Sequence, residues 1–205
     1  MSLSFGILLM LAAPLAGTPE VEDASLDAVA VKAGYLLTLA EFVEWPATAF
    51  PDTAAPIVLG VLGEDPFGPE LEKLRGRKVD GRTIEIRRFK GSLEFRGEET
   101  PGRRQEDLAQ KRSRKIRELK ACHILFIGSS EKDFLAAILK SVKDASVLTV
   151  GELSEFTRSG GVVGFAGGDG RIGIEINLSA AEEARLKISS KLLSMARVIG
   201  GKEIE

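Results

Sequence analysis

Three short, continuous apolar runs constrain this chain more than any other feature: Ile57 to Leu62, His123 to Gly128 and Ser146 to Val150. Runs of four to six apolar residues with no alternation read as strands covered on both faces, the pattern of a parallel sheet. Helical spacing fills the chain around them. Leu26 to Phe42 repeats apolar residues at that spacing, with Ser25 or Asp27 as N-cap and a stop near Trp45-Pro46. Asp65-Pro66 opens a helix through Leu74, with Gly76 as its stop signal. Glu131 to Val142 sets Phe134, Leu135, Ile138, Leu139 and Val142 on one stripe. Thr83 to Phe89 alternates and reads as a half-buried or edge strand. Leu153 to Phe156 is a helical turn. Gly160-Gly161 leads into Val162 to Phe165, and Arg171 to Asn177 returns after Gly167-Gly168-Asp169-Gly170, a strong hairpin signal. Ala180 to Ile199 predicts a long closing helix. The expected fold is α/β: a three-layer sandwich with a mostly parallel sheet, a C-terminal antiparallel hairpin and helices on both faces.

A chain of 205 residues suits one domain, expected over residues 28–200. Residues 1–16 hold no charged side chain, and Phe5 to Leu15 is a nearly unbroken apolar run. At ~1.5 Å per residue it falls short of the ~30 Å of a bilayer core. It suits the central region of a signal peptide, followed by the small residues Ala16 and Gly17; a hydrophobic helix tucked into the core is the competing reading. Residues 17–27 read as a polar, acidic spacer. Residues 96–120 form a charged insertion with nine basic and five acidic residues, net +4 within a chain of net −2. Its second half, Gln105 to Lys120, predicts a solvated helix with Leu108, Ile116 and Leu119 as sparse apolar positions.

One Cys and one His exclude a disulfide framework within the chain, a Cys-rich zinc site and a multi-His centre. Cys122 and His123 are adjacent; on a strand they point to opposite faces and do not form a nucleophile–base pair. They read as a buried Cys and a strand-edge His. Gly128-Ser129-Ser130 joins a buried strand to a helix start, where free N–H groups can cradle an anion. No nucleotide-binding fingerprint accompanies it, and a serine there reads first as an N-cap. Glu64 and Asp65, at another helix start, complement the helix dipole. Glu64, Asp65, Ser129 and Ser130 all fall at the C-terminal ends of parallel strands. Open α/β sheets take ligands at that edge, so these four form the candidate ligand edge. Nothing marks a cofactor or a metal.

Arg112, Arg114 and Lys115, in the run Lys111 to Arg117, suit an anionic lipid or an acidic protein surface, against the default of a solvated helix face. The near-neutral total charge, and Phe95 as the one aromatic nearby, argue against nucleic acid. Phe42 and the only Trp, Trp45, sit at a helix end. They read as a plug at the core edge or, alternatively, as aromatic anchors of a protein interface. The candidate partner-binding residues are therefore Phe42, Trp45, Arg112, Arg114 and Lys115.

The ordered set of segments resembles the YfiR family of exported bacterial proteins. It comprises Val31-Lys32-Ala33-Gly34-Tyr35-Leu36 with Phe42-Val43-Glu44-Trp45-Pro46, Ile57 to Gly68, Cys122 to Gly128, Val147 to Val150, Gly160 to Phe165, and Ile174 to Leu178 with Ile188 to Leu193. The resemblance implies a periplasmic α/β protein, commonly dimeric, with no known enzymatic activity and no cofactor. It implies a partner as well: the periplasmic sensor region of an inner-membrane signalling protein, in the best-understood relatives a diguanylate cyclase held inactive. An outer-membrane lipoprotein relieves that restraint. Relatives that respond to redox state use disulfides, whereas this chain carries only Cys122. A small-ligand-binding module working with a sensor kinase or an outer-membrane receptor is the alternative.

Overall fold

A computed structural model describes residues 20–91, 105–168 and 171–200. The first half runs α1 (Glu20–Phe42), β1 (Val43–Glu44), a 3-10 turn at Ala47–Ala49, β2 (Ile57–Leu62), α2 (Pro69–Glu72), β3 (Lys78–Val79) and β4 (Arg82–Phe89). The second half runs α3 (Gln105–Lys120), β5 (Ile124–Ile127), a 3-10 segment at Ser129–Phe134, α4 (Leu135–Val142), β6 (Leu148–Gly151), β7 (Val163–Gly168), β8 (Arg171–Asn177), α5 (Leu178–Glu183), β9 (Lys187–Ile188), α6 (Ser190–Leu193) and β10 (Arg197–Ile199).

Eight strands form one sheet in the order β10-β8-β7-β6-β5-β2-β4-β3. From β7 to β4 every neighbouring pair is parallel, while β8 returns antiparallel to β7 and β3 lies antiparallel to β4. The three apolar runs form the central strands, and the residues of β2, β5 and β6 are buried throughout. The 2-residue period of a strand divides them between two cores. On one face Ile57, Leu59, Val61, Ile124, Phe126, Leu148 and Val150 pack under α1 and α2, with the Phe126 ring meeting Phe67 edge-on at 4.7 Å. On the other face Val58, Leu62, Leu125 and Ile127 pack under α3 and α4 through Leu119, Leu135, Ile138 and Leu139. The expected three-layer arrangement is present, with the hairpin of β7 and β8 on one side.

Four expectations change in detail. Helix α1 begins at Glu20, inside the stretch expected to be a spacer. Helix α2 is a single turn rather than a helix from Asp65, because Asp65 Oδ1 accepts the backbone N–H groups of Phe67 (2.7 Å) and Gly68 (3.3 Å) and holds a turn there. Before α4 the chain first winds as a 3-10 segment. The long closing helix over Ala180 to Ile199 does not form. Asn177 caps α5 by accepting from Ala180 N at 3.0 Å, and Arg185 takes a left-handed φ of 58° just beyond it. Ser189 caps α6 by accepting from Leu192 N at 3.2 Å. Ile188 then pairs with Val43, and Val198 with Ile176. Side-chain acceptors at two caps and β-branched residues with available strand partners outweigh the helical spacing.

Gly160-Gly161 also acquires a role beyond the hairpin. Gly160 has φ 100°, and a Cβ at either Gly151 or Gly161 would collide with the ring of Phe156. Phe156, 1% exposed, is wedged between two glycine backbones. Of the expected turn, Asp169 and Gly170 lie outside the described residues, as do residues 1–19 and the first part of the charged insertion.

Candidate functional site

The sheet order places a topological switch point between β2 and β5. The chain leaves β2 toward β4 on one side and leaves β5 toward β6 on the other. The loops after β2 and β5 carry Glu64-Asp65 and Ser129-Ser130, so all four candidate ligand-edge residues do fall where such folds take ligands. The crevice itself is filled. Gly128 N donates to Leu62 O at 2.9 Å, and Ser130 Oγ accepts from Glu64 N at 3.0 Å. A Cβ on Gly128 would lie 2.6 Å from Glu64 O, and one on Gly63 would collide with Ser130 Oγ. Ser130 is thus not an N-cap of its own segment but a clasp across the two loops, and Gly128 makes no side-chain cap in its place. Asp65 is spent on its turn and on Arg88, whose Nε donates to Oδ2 at 2.8 Å. Ser129 is exposed.

Glu131, which sequence reasoning passed over as one polar residue of an amphipathic stripe, is 3% exposed. Its carboxylate accepts from Ser130 Oγ at 3.1 Å and lies 2.5 Å from where a Cβ on Gly91 would be. It locks the β5 loop against the ends of β2 and β4. Its signal was the glycine content of the facing segments, legible only once the strands are in register.

Cys122 and His123 point to opposite faces, as expected of neighbours on a strand. Cys122 joins the α3/α4 core, and burial pushes its thiol up to about 12. His123 is 5% exposed on the other side. Its Nδ1 accepts from Val58 N at 3.0 Å, Phe50 stacks on the imidazole at 4.3 Å, and Arg82 caps the Phe50 ring at 3.8 Å. Nε2 is buried with no hydrogen-bond partner. Burial lowers the imidazole pKa to about 4.

Trp45 closes this stack. Its ring meets His123 edge-on at 6.1 Å, and its indole N–H donates to His123 O at 3.2 Å. Phe42 is half-buried against the core with the Lys191 ammonium 4.8 Å above its ring. Both aromatics therefore make the core-edge plug that their position suggested. Of the basic residues, Arg112 and Arg114 are exposed, but Lys115 is 6% exposed. Its ammonium turns inward, donating to Lys90 O and to Gly91 O (3.4 Å). The helix expected to be solvated is thus fixed to the end of β4 by one of its own cations. Among the described residues no group of three His, Cys, Asp or Glu side chains is placed to hold a metal, and no helix is long and apolar enough to cross a membrane.

An open mixed α/β sheet, sealed at its switch point and plugged at one end by an aromatic–histidine stack, defines the class of protein. Within that class the chain belongs to the YfiR/HmsC-like family (DUF4154), whose model matches residues 29–197. No curated protein matches it. Among solved structures it is similar to a conserved domain protein from Vibrio cholerae O1 biovar eltor, at 12% identity and a TM-score of 0.48. That match covers 81% of this chain and 59% of the other.

Proposed function

We propose that the protein is a periplasmic, non-enzymatic regulator that binds and restrains the periplasmic sensor region of an inner-membrane signalling protein, a diguanylate cyclase, and so lowers cyclic-di-GMP and biofilm formation. The family match over residues 29–197 carries this reading. The way the polar groups are used supports it: Ser130, Glu131, His123 and Lys115 are each turned to holding loops, strands or helix ends together. In this reading residues 1–16 are a signal peptide removed on export. The protein acts as a homodimer, and an outer-membrane lipoprotein relieves the restraint. Phe42, Trp45, Arg112 and Arg114 remain the proposed partner-facing residues, with the two aromatics acting from the rim of a structural plug.

Deleting the gene should raise cellular cyclic-di-GMP and biofilm mass, and the tagged protein should recover the cyclase in a periplasmic crosslinking pull-down. Unchanged cyclic-di-GMP in a strain that expresses the cyclase, or recovery of the protein in the cytoplasm with its N-terminus intact, refutes the proposal.

A further inference from the structure

The switch point between β2 and β5 is closed, but one strand further along the same edge the described residues leave a concavity. The end of β4 and the facing side of α3 enclose a cleft of about 380 Å³. The strand end contributes Arg88, Phe89 and Lys90, and the helix contributes Lys111, Arg114, Lys115 and Glu118. The helical contributors fall at i, i+3, i+4 and i+7, so they occupy one side of α3. Five cations and one carboxylate line the cleft. This one-sided charge cluster sits in a chain of net −2.

The five cations divide by what they already hold. Arg88 donates to Asp65 and Glu72, so its charge is matched. Lys115 is buried and turned onto the carbonyls of Lys90 and Gly91, where it brings a fixed positive charge under the floor. Lys90, Lys111 and Arg114 are exposed and make no ion pair among the described residues. Three uncommitted cations around one concavity, with Glu118 as the one carboxylate beside them, leave a net positive charge, and their repulsion costs stability unless a further anion shares them.

We propose that this cleft is a binding site for a phosphate-bearing anion. A single carboxylate answers one cation and leaves two facing each other. A phosphate offers several acceptor oxygens and up to two charges, which suit the planar fork of Arg114 together with the point charges of Lys90 and Lys111. The volume exceeds that of a bare phosphate and leaves room for the group that bears it. Phe89, half-buried at the base, gives that group an apolar contact. Two sources share this chemistry, a soluble phosphate ester and the headgroup of an anionic phospholipid. The site does not depend on the regulatory reading, because it rests on the cleft alone.

The test uses the purified protein at low ionic strength, where such contacts are strongest. Inorganic pyrophosphate is titrated calorimetrically, and co-sedimentation is measured with phosphatidylcholine vesicles with and without phosphatidylglycerol. Lys90→Gln, Lys111→Gln and Arg114→Gln combined should weaken binding by about tenfold or more, as expected when several charge-assisted contacts are lost. The three changed side chains are exposed and repel one another, so without ligand the melting temperature should hold or rise, not fall. Arg117→Gln, Lys120→Gln and Lys132→Gln combined remove the same charge outside the cleft and should leave binding within about twofold. Pyrophosphate binding that only the first triple abolishes assigns a soluble ester. Binding only to the anionic vesicles, with the same dependence, assigns the headgroup. If the wild type binds neither, if both triples weaken binding equally, or if polyglutamate binds where both phosphate probes fail, the proposal is wrong.

Discussion

Acidification should destabilise this protein well before its carboxylates titrate, and His123 is the reason. In the folded chain its pKa lies near 4, against 6.5 for the free side chain, because burial disfavours the imidazolium, and the charges of Arg82 and Arg87 add to that cost while the Ala49 backbone offsets part of it. Geometry points the same way. Nδ1 is the acceptor for Val58 N–H, so the second proton, which can only go there, would set one N–H against another. A folded pKa below the unfolded one means that the unfolded chain takes up the proton first. Stability is therefore full above pH 6.5, falls as the pH drops through that value, and levels off below 4. Between pH 7 and pH 5 the linkage amounts to about 2 kcal/mol. At about 2 kcal/mol per molar urea for a domain of this size, the unfolding midpoint should fall by about 1 M.

The carboxylates act in a different window. Glu72, held near 2 by its hydrogen bonds with Arg75 and then Arg88, and Glu85, lowered by Arg87, contribute stability that is present above their ordinary value near 4.5. That contribution is lost only as the pH falls below it. Urea unfolding at pH 7, 6 and 5, followed by Trp45 fluorescence, isolates the histidine. His123→Asn keeps an acceptor near the position of Nδ1 and removes the titration. It should be less stable at pH 7 by roughly 1–3 kcal/mol through lost packing, yet flat from pH 7 to pH 5. A wild-type midpoint that does not move across that range, or an Asn variant that keeps the wild-type slope, refutes the assignment.

Three further outcomes follow from the packing. Cys122, buried with its thiol pushed up to about 12, should resist iodoacetamide at pH 8 in the native state and react once urea unfolds the chain, as mass spectrometry will show. Gly60→Ala places a methyl 2.7 Å from Cys122 Sγ and 2.9 Å from Phe89 Cε2 between packed strands, and should cost about 1–3 kcal/mol in urea unfolding. Lys115→Met removes the donor to two carbonyls at the end of β4 and should cost about 1–3 kcal/mol, whereas Arg114→Gln, one residue away and exposed, should change stability by less than about 0.5 kcal/mol.

The central strands were legible because a parallel sheet buries both faces, so Ile57 to Leu62 and Ile124 to Ile127 had to be apolar at every position. Helix α3 was legible from its spacing, with bounds of Gln105 and Lys120. The C-terminal segment was not, because Leu186, Ile188 and Leu192 fit a helix and a short strand–turn–helix equally well. The choice between them was made by partners elsewhere in the chain, Val43 for Ile188 and Ile176 for Val198. The same holds for the polar residues. A sequence shows that Ser130 precedes a helix-like stretch, and capping is the local use of a serine there. Its actual use depends on Glu64 N, a residue 66 positions away. Lys115 looked like its neighbours Arg112 and Arg114 because burial of a lysine depends on a carbonyl pair at the end of another strand.

These long-range placements explain why this edge of the sheet is sealed in one place and open in another. Gly63, Gly91 and Gly128 bring three loops close around the Glu131 and Ser130 side chains; a Cβ at Gly128 would meet the Glu64 backbone at 2.6 Å, and one at Gly63 or Gly91 would displace the Ser130 or Glu131 side chain. The β4 end has a glycine only after Lys90, and the element that should cover it is α3, whose facing side carries Lys111, Arg114, Lys115 and Glu118 rather than leucines. One of those lysines is drawn inward to satisfy the strand-end carbonyls and anchors the helix. The other cations cannot follow it without burying unpaired charge, which costs several kcal/mol per ion. They hold the helix off the strand, and the cleft is what that separation leaves.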